Sequence, residues 1–85
     1  MKIVYSKGFA RMFNALPISV QGKAKEKKSL FKDNPFSKSL KTHKLKGKFK
    51  ACYSFSVDYD YRIVFKFTGK DTAVFMLIGD HSIYQ

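Results

Sequence analysis

Residues 43–67 read HKLKGKFKACYSFSVDYDYRIVFKF, and this stretch decides the fold. It opens with a histidine inside a lysine run and then alternates as a strand does, placing Tyr53, Phe55 and Val57 on one face. Asp58-Tyr59-Asp60 supplies a turn, after which Tyr61, Ile63, Phe65 and Phe67 resume the alternation. Two such runs joined by a short connection predict an antiparallel hairpin over about 49–57 and 61–67. One face is assigned to the core. The other carries Lys50, Cys52, Ser54, Ser56, Arg62, Val64 and Lys66, so the period of two puts Lys50 and Arg62 on the same side.

Working outward, the next run is TAVFMLIG at 72–79, connected by Thr68-Gly69-Lys70-Asp71. It is apolar on both faces, which predicts a central strand or one whose outer face is covered. At the other end, residues 2–5 (KIVY) form a short β-branched and aromatic first strand. Ser6 is placed to cap a helix of about nine residues, whose Phe9, Met12, Phe13 and Leu16 fall at i, i+3, i+4 and i+7. Pro17 ends that helix and suits the first turn of a second, over about 17–31, with Val20, Ala24 and Phe31 as its inward stripe. Asp33-Asn34-Pro35 stops it. Residues 36–49 read as irregular, anchored by Leu40 and Leu45, with Gly47 marking the turn into the second strand. The fold class is therefore α+β in the order β-α-α-β-β-β, a helical hairpin packed on a mainly antiparallel four-stranded sheet.

Eighty-five residues make a single domain, 1–85, which buries roughly 60% of its unfolded surface. Nine Phe and five Tyr, with no Trp, supply the core. The one cysteine, Cys52, rules out a disulfide within the chain and a thiolate metal cage. The first ten residues hold no apolar run of signal-peptide length and no segment approaches a membrane span, so a cytoplasmic protein is expected.

Charge is the strongest compositional fact. Seventeen Lys and Arg face six Asp and Glu, a net +11. Eleven lysines lie within residues 23–50 against only Glu26 and Asp33, so that segment holds +9 of the total. A solvated face mixes signs; one-signed clustering points to a polyanion such as nucleic acid or an acidic protein. An anionic membrane fits less well, because no wide apolar stripe accompanies the lysines.

The residues that could do chemistry are few. His43 and His81 are the two imidazoles, the usual general acids and bases near neutral pH. Asp58 and Asp60 sit where a β-turn is ordinarily capped. Arg62, off the core face at the start of its strand, has the planar fork that suits a phosphate, or a carboxylate such as Asp60 or Asp80. There is no glycine-rich phosphate loop and no metal-ligand spacing.

Taken together, the NP…LK.HKLKG passage from Asn34 to Gly47, the Y.F.V…YRIVF hairpin from Tyr53 to Phe65 and the terminal IG.H..Y from Ile78 to Tyr84 resemble the RelE/YafQ/ParE toxin superfamily of bacterial toxin–antitoxin systems. The resemblance runs over nearly the whole chain and implies a RelE-like fold. His43, Asp60 and His81 resemble the histidine, aspartate and histidine that serve mRNA cleavage in its YafQ-like branch. Tyr61-Arg62-Ile63 is similar to the RelE branch, whose arginine here contacts the scissile phosphate. Ser56 stands where that first branch carries a second central histidine, Tyr61 replaces a tryptophan, and Tyr84 comes one residue early.

The activity so implied is a ribosome-dependent, metal-independent endoribonuclease, an mRNA interferase that inhibits translation without any cofactor. His81 would act as general acid or base with Asp60 as counterpart or orienting group, and His43 as a further candidate. Arg62 and Lys50 would stabilise the phosphate, and Tyr84 would stack on a base or hold His81. Lys44, Lys46, Lys48 and Lys66 complete the expected RNA contacts. The implied partners are the ribosome with its RNA, mRNA, and a cognate acidic antitoxin lying across the sheet's outer face near Val64, Phe75 and Leu77; no membrane is implied, and the free protein is expected as a monomer or weak dimer. The alternatives are a ParE-like inhibitor of DNA gyrase and a catalytically impaired RNA-binding relative.

Overall fold

The apolar run at 72–79 becomes the middle of the molecule. In the computed structural model, which describes residues 1–84, it forms β5 (Thr72–Gly79), flanked by β1 (Lys2–Tyr5) in parallel and by β4 (Arg62–Phe67) antiparallel. Beyond β4 come β3 (Tyr53–Ser56) and β2 (His43–Lys44), both antiparallel, giving a five-stranded sheet in the order β1-β5-β4-β3-β2. Helices α1 (Lys7–Asn14) and α2 (Ile18–Asp33) cover one face. The α+β class and the helical hairpin stand as expected. The strand count does not: the sheet has five strands rather than four, in the chain order β-α-α-β-β-β-β. The added strand is two residues long, too short and too polar to show an alternation.

Local chemistry explains the boundaries. Ser6 Oγ accepts the Phe9 N–H at 2.9 Å, capping α1, and donates to the Met76 carbonyl at 2.9 Å. The cap thus also satisfies a carbonyl where the β4–β5 register slips, between Val64 and Phe65. Pro17 caps α2, and the helix runs two residues past Phe31 before Asn34 takes extended geometry ahead of Pro35.

The core is aromatic. Phe31 meets Phe55, Phe65 and Phe75 at centroid distances of 5.1, 4.8 and 5.2 Å, and all four rings are buried, with Phe9 closing the α1 side. Burying one such side chain stabilises the fold by about 1.5–3 kcal/mol. Leu40 is an anchor as expected, fully buried; Leu45 is half-buried.

Two further expectations are corrected. The strand expected over about 49–57 is β3, and it begins at Tyr53, not near Phe49. Gly47, at φ 66°, starts a 3₁₀ turn over Gly47–Phe49, and the Leu45 N–H donates to the Cys52 carbonyl at 3.0 Å, closing a loop. That segment (KGKFKAC) has no β-branched residue, and turn bonds from Lys50 and Cys52 take its backbone groups. Lys50 therefore lies on a loop and not in a ladder beside Arg62. The outer face also differs: Phe75 is a core residue 1% exposed, and Val64 is fully buried, so the apolar patch expected for a partner near Val64, Phe75 and Leu77 is not open. The register slip puts Phe75 and Ile78, an odd step apart, both in the core, which plain alternation cannot show.

Candidate functional site

The β3–β4 connection is built on Asp58. Its Oδ1 accepts the N–H groups of Asp60 and Tyr61, each at 2.9 Å, and its Oδ2 lies 3.4 Å from Lys23 Nζ on α2. Partial burial would push its carboxyl up, but the Tyr61 and Asp60 amides and the Lys23 ammonium prevail and hold it below the ordinary carboxylate value. Arg62 finishes the turn from above. Its Nη1 donates to the carbonyls of Asp58 at 2.9 Å and Tyr61 at 3.3 Å, and reaches that of Tyr59 at 3.5 Å. The expected partners of Arg62 were a phosphate, Asp60 or Asp80; this nitrogen instead braces the backbone that presents Asp60.

Beyond β5 the chain makes a 3₁₀ turn, His81–Tyr84. Asp80 starts it: Oδ1 accepts the Ser82 N–H at 2.9 Å. The Ser82 hydroxyl and amide, with His81 alongside, hold the Asp80 carboxyl below its ordinary value. A Cβ at Gly79 would meet Ile83 Cγ2 at 2.5 Å, so any larger residue there must displace the Ile83 side chain. The turn is tied down by Tyr84, whose hydroxyl shares a 2.7 Å hydrogen bond with the hydroxyl of Ser54, a residue fully buried on β3.

This turn separates two clefts. The first, of about 510 Å³, is lined by Asp60, Tyr61, Asp80, His81 and Ser82. Register explains the meeting: Arg62 pairs with Gly79, so the β3–β4 turn and the residues after β5 emerge at the same sheet end. Two carboxylates and an imidazole in one cleft are the material of proton transfer. The second, of about 420 Å³, is lined by His43, Leu45, Lys46, Gly47, Lys48, Phe49 and Tyr84. His43 reaches it because β2 pairs with β3, placing His43 opposite Ser54. Its Nδ1 lies 3.1 Å from the Lys41 carbonyl, which needs a proton on Nδ1 and leaves Nε2 as the acceptor of the neutral ring. Phe49 stands edge-on to Tyr84 at 6.3 Å with Lys48 Nζ 5.4 Å from the Phe49 ring, and Tyr84 stands edge-on to His81 at 6.2 Å.

The expected site residues are thus divided. Asp60 and His81 come together; His43 and Tyr84 come together with Lys46 and Lys48; the Tyr84–His81 contact joins the two sets. Lys44 and Lys50 are exposed and Lys66 half-buried, and none lines either cleft. Sequence reasoning missed Asp80 and Ser82 as cleft residues, although the Asp-x-Ser spacing of a capped turn was there to read. It also missed Phe49, hidden by its assignment to a strand. A third hollow of about 260 Å³ between α1 and α2, over Ile63 and Phe75, is apolar and contains no histidine or carboxylate. Among the described residues no three His, Cys, Asp or Glu side chains form a metal-binding group, and no helix is long and apolar enough to cross a membrane.

No protein-family model matches the chain. No curated protein sequence matches it either. Solved structures do. YafQ from E. coli strain BL21(DE3) superposes with a TM-score of 0.81 at 23% identity, over 98% of this chain and 96% of that one. The YoeB/ParE toxin from Agrobacterium tumefaciens gives 0.81 at 19% identity, over 95% and 99%. The archaeal RelE–RelB complex from Pyrococcus horikoshii OT3 provides a chain matching at 0.75 and 17% identity, over 93% and 92%. The chain therefore shares the fold of these YafQ, YoeB/ParE and RelE proteins, the fold that the sequence resemblance implied.

Proposed function

We propose that this chain, built on the RelE/ParE toxin fold, is the toxin of a type II toxin–antitoxin pair and cleaves messenger RNA on the ribosome. The observation that carries the reading is the meeting of Asp60 and His81 in one cleft on a chain of charge +11. RNA brings its own nucleophile, the 2′-hydroxyl beside the attacked phosphate. One cleft group takes that proton as the 2′-oxygen bonds to phosphorus; the other gives a proton to the 5′-oxygen as its bond to phosphorus breaks, leaving a cyclic phosphate and a 5′-hydroxyl. His81 and Asp60 are assigned these two roles. Arg62, through the guanidinium N–H groups it does not give to the turn, and the lysines of the 45–52 loop would neutralise the phosphate charge. His43 and Tyr84 would hold the adjoining nucleotide. An acidic antitoxin is the natural counterpart of so basic a toxin, and the E. coli DinJ–YafQ toxin–antitoxin complex contains a chain of this fold, at 23% identity and a TM-score of 0.77.

The test is a purified translation system with the protein added, in which the 5′ ends of a translated message are mapped with and without ribosomes. New ends that require both ribosomes and His81 are expected. An intact message under those conditions rejects cleavage. One observation favours a second reading: His43 lies in a different cleft from Asp60 and His81. The resemblance adds that Ser56 fills the place of the other central histidine, so a toxin that acts by binding alone, as in gyrase inhibition, is the reading to test next with a supercoiling assay.

A further inference from the structure

Three aromatic rings gather beside the β2–β3 ladder, and none of them lines either cleft. Phe36 lies 5.9 Å from Tyr53 and 6.1 Å from Phe67, and Tyr53 and Phe67 are 5.4 Å apart. Tyr53 stacks on core Phe65 at 5.6 Å and is half-buried, whereas Phe36 is 55% exposed and Phe67 37%. Phe36 is held in this position: its N–H donates to Asn34 Oδ1 at 3.0 Å, and the Thr42 hydroxyl donates to the neighbouring Pro35 carbonyl. Phe67 ends β4 five residues beyond Arg62, about 16 Å along the strand.

A half-exposed ring that merely closed the core could as well be leucine. What distinguishes this patch is its surroundings. Lys38 and Lys41 are exposed on the loop that carries Phe36, Lys44 is exposed and paired with Tyr53 across the β2–β3 ladder, and no acid occurs between Asp33 and Asp58. The two exposed rings leave roughly 200 Å² or less of aromatic surface, taking about 200 Å² for a free phenylalanine. That is the size of one or two nucleobases and well short of the roughly 800 Å² a protein partner covers. Exposed rings beside cations are how unpaired bases are held.

We infer that Phe36, Phe67 and Tyr53 form a stacking platform for an unpaired nucleobase of RNA, with Lys38, Lys41 and Lys44 engaging the phosphates on either side. The inference goes beyond the cleavage reading, because it requires RNA to be bound and not cut.

The test measures fluorescence anisotropy of a single strand of about 12 nucleotides, fully 2′-O-methylated so that no cleavage can occur, and of the same strand annealed to its complement. Phe36→Leu keeps the apolar cover and removes the π face; Phe36→Trp keeps both. The expected result is a loss of about 5- to 100-fold in single-strand affinity for Phe36→Leu at every salt concentration, with the salt slope unchanged, duplex binding unchanged and Phe36→Trp close to wild type. On the unaltered protein, strands carrying one abasic position should show a loss confined to one or two positions. Equal binding by Phe36→Leu and wild type, an equal loss for strand and duplex, or a flat abasic series overturns the platform. So does a change in sedimenting mass for Phe36→Leu, which would make the patch a contact between copies of the chain. Because the methylated strand lacks the nucleophile, failure of the cleavage reading leaves this experiment intact.

Discussion

The two clefts on either side of the His81–Tyr84 turn differ in kind. One gathers Asp60, Asp80 and His81, groups that can take and give protons; the other gathers His43, Phe49 and Tyr84 beside Lys46 and Lys48, groups that can hold a base and its phosphates. On the proposed reading a nuclease needs both jobs done on adjacent nucleotides, and the Tyr84–His81 contact places the two sets of groups side by side. The first cleft depends on a tight turn whose geometry Asp58 and Arg62 enforce. The second depends on a loop of residues 45–52 held to the sheet at its ends, by the β2–β3 pairing and the Leu45–Cys52 hydrogen bond, and at Phe49 by the Tyr84 ring. The difference predicts that chemistry and binding can be damaged separately.

The sharpest way to break that division is His81→Ala. Loss of one acid or base should lower the cleavage rate by about 10²- to 10⁴-fold. Affinity for a noncleavable 2′-O-methyl message fragment should stay within about twofold, since the lysines to which the proposal assigns most of the binding are untouched. Rate and affinity falling together would show that the two clefts are one functional unit. The converse variant replaces Lys46, Lys48 and Lys50 with Ala. Three lost phosphate contacts should weaken binding and lower the slope of log affinity against log salt by about 2, at roughly 0.7 for each single-strand contact. Cleavage at saturating RNA should persist. An unchanged slope in a salt titration would place the RNA elsewhere on the molecule.

How much of this was legible depends on where the pattern is periodic. The helix-facing side of β3 and β4 shows in the sequence because Tyr53, Phe55, Ile63 and Phe65 alternate without interruption and all pack inward. Periodicity failed in three places, each for a local reason. At residues 46–52 the lysines alternate as a strand would, yet turn hydrogen bonds and the positive φ of Gly47 win over extended geometry. In β5 the register slip breaks parity, so Phe75 and Ile78 both point to the helices. At the end of the chain, a four-residue turn is too short for any period, though it carries the residue most important to the proposal, His81. His81 is a candidate from its imidazole, and the family resemblance pairs it with Asp60. Their shared cleft follows from the pairing of Arg62 with Gly79, which no local pattern shows.

The turn that presents Asp60 can be tested through stability. Asp58 has a folded-state pKa lowered by two amides and Lys23, so its ionised form favours folding. That contribution is complete above the unfolded value near 3.9 and is lost as pH falls through the lower folded value. Asp58→Ala should cost about 2 kcal/mol at neutral pH, the scale of losing charge-assisted hydrogen bonds, and urea titrations should show the gap from wild type narrowing below about pH 4. A gap that persists to low pH would mean that the side chain acts through packing rather than charge.

The smallest effect probes the bond between the clefts. Tyr84 and Ser54 share one hydrogen bond, but the two ends are not equivalent: Ser54 is fully buried, whereas Tyr84 is half-exposed and lines the second cleft. Tyr84→Phe strands a buried hydroxyl without a partner, a cost of about 1–3 kcal/mol; Ser54→Ala removes that hydroxyl and leaves the tyrosine oxygen able to reach water, at about 0.5–1 kcal/mol. Thermal melts should therefore rank Tyr84→Phe below Ser54→Ala, and both below wild type. Cleavage should follow the same order by a few-fold at most, because the bond positions the turn that carries His81 and does not itself move a proton. If the two variants melt alike but only Tyr84→Phe loses activity, the hydroxyl touches the RNA directly, and the second cleft takes part in the chemistry as well as the binding.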